Sequence, residues 1–191
     1  MFWNNNCKVD ILGDSIYHID ARVTETGQDP WRITCIYGEA QTHLRHQTWD
    51  VLKGISTMSD LPWLYFGDFN EVLLPEEHDG AADRSNAQIQ AFRDAVDVCM
   101  LMDLGYQGRP WTFEKRVAGG TYTRCRLDRA LVNSDCLARF PLASVTHETA
   151  ASSDHLALLL DFGRAKNVRR KHEFKYETMW ETHEGLNDVV A

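Results

Sequence analysis

The sequence predicts a layered α/β or α+β fold built around a mixed sheet, and three patterns predict it. Segments of strand-like composition alternate with segments of helical period along the whole chain. The apolar run Leu61-Pro62-Trp63-Leu64-Tyr65-Phe66 stops abruptly at Gly67, as a strand buried on both faces does. With 191 residues, of which 43% are hydrophobic, the chain can bury one substantial core, so one domain is expected rather than two.

Lys8 to Leu12, Ile16 to Val23 and Trp31 to Tyr37 read as three strands, separated by the turn residues Gly13-Asp14 and Gly27-Gln28-Asp29-Pro30. From Thr42 the period changes. Leu44, Thr48, Val51, Leu52 and Ile55 fall on one face of a helix of about four turns. The apolar run ending at Gly67 follows as a strand, so the residues after it are exposed and firmly anchored. Ser85 or Asn86 then caps a second helix whose apolar face is Ile89, Phe92, Val96, Cys99 and Met100, closed by Asp103-Leu104-Gly105. Trp111 to Phe113 and Tyr122 to Cys125 read as a hairpin turning at Ala118-Gly119-Gly120, with Arg126 to Val132 as the next strand. A short helix, Ser134 to Phe140, stops at Pro141. Ala143 to His147 and Leu156 to Phe162 are the last strands, joined through Ser152-Ser153-Asp154-His155.

Composition excludes several classes. No window approaches the ~20 consecutive apolar residues of a membrane span, and the first residues lack the pattern of a secretory signal. A soluble, intracellular protein with no membrane partner is therefore expected. Cys7, Cys35, Cys99, Cys125 and Cys136 are odd in number and form no CxxC pair, which reads as free thiols and not as a zinc or disulfide framework. His43 and His46 have no second pair of soft ligands nearby and read as a helical surface. The net charge of -8 argues against a broad basic surface wrapping nucleic acid. It does not argue against phosphodiester hydrolysis, because carboxylates that hold a cation present positive charge to a phosphate. The basic run Arg164 to Lys175 reads as a solvated linker.

Three polar clusters sit at predicted strand ends. Gly67-Asp68-Phe69-Asn70 sets a carboxylate and a carboxamide two residues apart, on one side of an extended chain. Asp68 there could exchange a proton with an attacking water while Asn70 donates to a phosphate, although Asp after Gly is also ordinary turn chemistry. Arg126-Leu127-Asp128-Arg129 places an acid in an apolar strand, and a buried carboxylate needs a partner. That partner is either a flanking arginine or a histidine whose tautomer Asp128 fixes. Ser153-Asp154-His155 offers such a histidine; alone, it reads equally as a polar loop before a strand.

In this order, the three clusters resemble the endonuclease/exonuclease/phosphatase superfamily, with its GD-x-N, R-x-D and terminal SDH segments. The likeness extends to Trp31 to Gly38, Leu61-Pro62-Trp63, Gly67 to Glu71, Arg126 to Asn133 and Phe174 to Trp180, segments similar to the nuclease of plant LINE-type retroelements and the linker leading towards a reverse transcriptase. It covers roughly residues 1 to 162 as the domain and 163 to 191 as that linker. The resemblance implies a four-layer α-β-β-α sandwich of two mixed sheets, a magnesium or manganese cofactor and DNA as substrate. By motif position, Asp68 is implied as the acid/base, Asn70 as its neighbour at the phosphate, and Asp128 as the partner of His155, which stabilises the transition state. Asp154 is implied at the metal, Tyr37 near the scissile phosphate, and Ser153 and Thr112 as supports for these groups. Nuclear action follows only from that substrate.

Two departures qualify the resemblance. The family's first strand-helix-strand, with its Asn and the Glu that binds metal, has no counterpart: neither Asn4 to Asn6 nor Glu25 stands in a matching context. Lys115 stands where an amide is expected after Thr112. The sequence therefore leaves open an impaired nuclease, a non-catalytic remnant or binding module, and, behind these, a phosphatase of small phosphate esters. An open sheet edge and marginal stability are expected of the isolated chain.

Overall fold

The computed structural model describes residues 6–80, 84–116, 122–150 and 153–163. In chain order the strands and helices are β1 (Cys7–Asp14), β2 (His18–Glu25), β3 (Trp31–Tyr37), α1 (His46–Ser56), β4 (Trp63–Asp68), β5 (His78–Asp79), α2 (Asn86–Val98), β6 (Met102–Asp103) and β7 (Gln107–Gly108). They continue with β8 (Phe113–Arg116), β9 (Tyr122–Cys125), β10 (Asp128–Val132), α3 (Ser134–Arg139), β11 (Ser144–Glu148) and β12 (Ala157–Asp161). The fold is mixed α+β.

Six strands form the large sheet in the order β1-β2-β3-β4-β10-β6, with β3 and β4 parallel and the other pairs antiparallel. The parallel pair needs a crossover, and α1 supplies it. Two three-stranded sheets, β12-β11-β7 and β5-β9-β8, make the rest. Backbone bonds join these two: Glu114 donates to the Asp154 carbonyl at 2.9 Å, Leu156 donates to the Thr112 carbonyl at 2.7 Å, and Phe113 bridges to His155. They act together as a second layer beside the large sheet.

One face of the large sheet packs on α1 and α2 through Trp49, Leu52, Ile55, Trp63, Tyr65, Phe69 and Phe92. Trp49 and Phe92 stack there at 4.5 Å, and each buried aromatic contributes roughly 1.5 to 3 kcal/mol. The opposite face meets the second layer through Trp31, Leu64, Ala130, Val132 and Val145, with Phe140 closing one end beside Trp31 and Phe162. Among the described residues the stack is therefore helix, sheet, sheet. No described helix covers the outer face of β12, where Leu159 stands 56% exposed, and β12 is an edge strand.

Polar clasps fix the elements to one another. Buried Arg32 grips Asp20 with two nitrogens and donates to the Ile55 carbonyl at 2.8 Å, tying the end of α1 to β2 and β3. Asn133 caps α3 by accepting from the Cys136 amide and also accepts from the Trp63 amide, locking the start of β4 to the end of β10.

Several boundaries differ from the sequence expectation. The helix expected from Thr42 begins as a 3-10 turn over Thr42–Leu44, and α1 starts at His46. The second helix ends at Val98, because Met100 adopts a left-handed φ of 52° and turns the chain into β6. Asp103 thus lies in a strand, not in a helix-closing loop. β10 starts at Asp128, two residues later than expected, since the Arg126 amide donates out of the sheet to the Glu77 carbonyl. The hairpin turn Ala118-Gly119-Gly120 and the basic segment with its linker lie outside the described residues.

Candidate active site

Three neighbouring strands of the large sheet end at one place. In register, Tyr37 of β3 pairs with Asp68 of β4, and Asp68 pairs with Asp128 of β10. Gly67 makes the approach possible: its φ is 134°, and a Cβ there would stand 2.2 Å from the Ile36 carbonyl oxygen. No side chain fits that conformation. Beyond Asp68 the chain leaves the strand. Buried Phe69 donates to the Leu127 carbonyl at 2.9 Å, the Gly38 amide donates to the Asp68 carbonyl at 2.7 Å, and a Cβ on Gly38 would meet the Phe69 carbonyl oxygen at 2.6 Å. Asn70 then takes a left-handed φ of 54°. The expectation that Asp68 and Asn70 share one side of an extended strand therefore fails. The motif is a tight turn in which the Asn70 amide donates to Asp68 Oδ1 at 2.8 Å and its side chain donates to the Gly38 carbonyl at 2.8 Å.

Asp128 is partnered by histidine and not by arginine. His155 Nδ1 lies 2.8 Å from Asp128 Oδ2, which assigns Nδ1–H as donor and leaves Nε2 for another group. The flanking Arg126 and Arg129 turn the other way, each forming ion pairs with Glu77 and Asp103 at 2.7 to 2.8 Å. Fully buried Thr112 supports the acid: its Oγ1 accepts from the Leu127 and Asp128 amides, both at 2.9 Å. The Ser153 hydroxyl accepts from the His155 amide at 3.0 Å, and the Phe113 ring lies 5.0 Å from the imidazole.

Asp68, Asp128 and His155 form one constellation, with ligand-type atoms all within 4.8 Å of one another. Burial raises the Asp68 carboxyl to about 6, and the nearby Asp128 charge pushes the same way. The hydrogen bond that His155 donates to Asp128 raises the imidazole above its ordinary value against the opposing effect of burial. Two crowded carboxylates are a fit for a hard divalent cation, which takes oxygen ligands. With Nδ1 committed to Asp128, the two carboxylates are the groups that could hold such a cation, and Nε2 is left for another partner.

The other expected residues are placed as follows. Tyr37 lies beside Asp68 at the sheet end and is 64% exposed. Asp154 does not join the constellation. Its carbonyl accepts from Glu114, and the residue lines a cavity of about 300 Å³ with Trp111, Glu114 and Ser153. Glu25, at the end of β2 paired with Cys7, lies at the opposite end of the sheet from Tyr37. A further group was given no role by the sequence. Glu71, 1% exposed and directly after Asn70, is held between Arg45 and Arg84, and Arg84 also donates to the Asn70 carbonyl at 3.0 Å. Glu71 was legible by adjacency. The two arginines, isolated in sequence on different segments, gave no signal.

No family model and no curated protein matches the sequence. Solved structures do match. The chain is similar to an endonuclease/exonuclease/phosphatase family protein from Bacteroides thetaiotaomicron, at 13% identity and TM-score 0.43 over 79% of this chain and 62% of that one. It is similar to truncated Caenorhabditis elegans TDP2 at 13% identity and TM-score 0.43, over 81% and 66% of the two chains. It is also similar to the endonuclease domain of TRAS1, a telomere-specific non-LTR retrotransposon, with 17% identity and a TM-score of 0.68 over 86% of this chain and 72% of that chain. The fold around Asp68, Asp128 and His155 is thus the fold of that retrotransposon endonuclease domain.

Proposed function

We propose that this chain is a divalent-metal-dependent phosphodiesterase acting on DNA, an endonuclease of retroelement origin with magnesium as its cation and manganese as a substitute. The observation that carries the reading is the convergence of Asp68 with the Asp128–His155 pair at one end of the sheet. The fold shared with the TRAS1 endonuclease domain supports it.

Asp68 and Asp128 would hold the cation, whose chemistry is to neutralise charge that grows on the phosphate oxygens. The carboxylate oxygen that Asp68 does not lend to the cation would serve as the proton acceptor. It takes the proton of a water whose oxygen forms the new bond to phosphorus, while the bond from phosphorus to the leaving sugar oxygen breaks and that oxygen takes a proton from solvent. His155, its pKa raised by its hydrogen bond to Asp128, would donate from Nε2 to a non-bridging oxygen in the transition state. Asn70, Tyr37 and Asp154 line the approach. A reverse transcriptase domain is the expected partner of such a nuclease in a longer polyprotein.

The test is nicking of supercoiled plasmid by the chain with magnesium or with EDTA, beside Asp68→Asn and His155→Ala. Magnesium-dependent nicking that both substitutions abolish is expected. Absence of nicking by the parent chain would instead assign a non-catalytic remnant, and activity confined to a soluble phosphomonoester would assign a phosphatase.

A further inference from the structure

Glu71 is buried directly behind the Asp68–Asn70 turn, and two arginines share its carboxylate. Arg45 donates from Nη1 to Oε2, and Arg84 donates from Nη1 to Oε1 at 3.0 Å. Oε1 also accepts from the Val72 amide at 3.0 Å. Glu71 is not one of the ligand-type groups gathered at Asp68, Asp128 and His155. One carboxylate between two guanidinium groups leaves a positive charge over, and arginine does not shed its proton to remove it.

The cluster is tied to both loops that frame the site. Arg45 reaches the Glu39 and Ala40 carbonyls, at 3.3 and 3.1 Å, in the loop that follows Tyr37 and β3. Arg84 donates to the Asn70 carbonyl at 3.0 Å, in the turn that follows β4. Asn70 in turn holds Asp68 Oδ1 and the Gly38 carbonyl, at 2.8 Å each. Both guanidinium groups are therefore fixed beside the turn and largely withheld from water. Their charge is felt at the site: burial and the Asp128 charge raise the Asp68 carboxyl, and Arg45 is among the groups that oppose them.

A divalent cation between Asp68 and Asp128 meets that same field with twice the charge of a proton, so each uncompensated guanidinium repels it doubly. We propose that Glu71 is a positioning residue of the candidate site: it cancels one of the two buried arginine charges, which keeps the strand ends at Asp68 and Asp128 negative enough to hold a divalent metal. It does so without touching the metal, and the arginines it holds brace the Asn70 turn. The inference rests on the nuclease reading through its cation, and adds to it the residue that sets the cation's affinity.

The experiment measures metal binding without DNA and without turnover. Free manganese is read by electron paramagnetic resonance in titrations of the parent chain, Glu71→Gln, Arg84→Gln and the double variant. Glu71→Gln is expected to weaken manganese binding about tenfold and Arg84→Gln to tighten it several-fold. The double variant should return to within about twofold of the parent, because it restores the charge balance. Damage to packing alone predicts weaker binding in all three variants, since each breaks a contact of Glu71. That pattern, or equal affinity in all four proteins, overturns the proposal and leaves the nuclease reading intact. Should Glu71→Gln fail to fold, Arg84→Gln decides by itself, because it keeps the Arg45–Glu71 pair whole: tighter binding supports the proposal, and unchanged or weaker binding overturns it. A parent chain that binds no manganese overturns both the proposal and the metal-dependent reading.

Discussion

The His155 imidazole meets the Asp128 carboxylate at 2.8 Å, between Nδ1 and Oδ2, across 27 residues of sequence. Two different parts of the fold make that meeting possible. β10 brings Asp128 to the end of the large sheet, and the backbone bonds between 112–114 and 154–156 bring His155 over it. Thr112 serves both, since its hydroxyl fixes the Asp128 amide and its carbonyl fixes Leu156.

Asp128→Asn is expected to lower the His155 pKa, because the hydrogen bond and charge that raise it are weakened while the burial that lowers it remains. The imidazole then loses its proton at a lower pH. Nicking should fall about a hundredfold or more, the range in which a positioned acid or base acts. The check is a nuclear magnetic resonance titration of His155 beside plasmid nicking. An unchanged His155 titration would mean that Asp128 does not govern the imidazole.

Much of this was legible in the sequence, and the parts that were not share a cause. β3, β4 and β11 are visible because alternation and apolar runs are local signals. The pairing of Asp128 with His155 was visible as a question, histidine or arginine, that only packing decides. β5, β6 and β7 are two residues each, so they carry no period, and their strand character comes entirely from their neighbours. The turn at Asn70 escaped because Asn in a motif that follows a strand reads as extended until Phe69 is seen buried beneath it. Glu77 and Asp103 carried no signal because their partners are distant in sequence: Arg126 is 49 and 23 residues away from them, and Arg129 52 and 26.

That ion network gives the fold its acid sensitivity. Burial pushes the Glu77 and Asp103 carboxyls up, but Arg126 and Arg129 outweigh it and hold both below their ordinary values of 4.5 and 3.8. A depressed folded pKa means stability that is present above the unfolded value and lost as pH falls through the folded one. The urea midpoint should therefore hold at pH 6 and drop steeply below about pH 4. Asp103→Asn should flatten that drop and destabilise the chain by roughly 3 kcal/mol at pH 6, the scale for breaking a buried pair. A steep acid transition that survives in Asp103→Asn would place the acid sensitivity elsewhere.

Asp68 runs in the opposite sense. Its folded pKa of about 6 is raised above the ordinary 3.8, first by burial and then by Asp128, so folding favours the protonated acid. The stability it contributes is full below the unfolded value and is lost as pH rises through about 6. Above that pH the folded chain holds two neighbouring carboxylates at a cost, and a cation bound between them offsets it. A ligand that binds only the folded state raises its melting temperature by mass action. Magnesium should therefore raise the melting temperature more at pH 7.5 than at pH 5.5, where the proton competes for Asp68. Asp68→Asn should melt higher than the parent chain at pH 7.5 without metal and should lose the response to magnesium. If Asp68→Asn keeps the full magnesium response, the cation is held elsewhere and the two carboxylates are not its ligands.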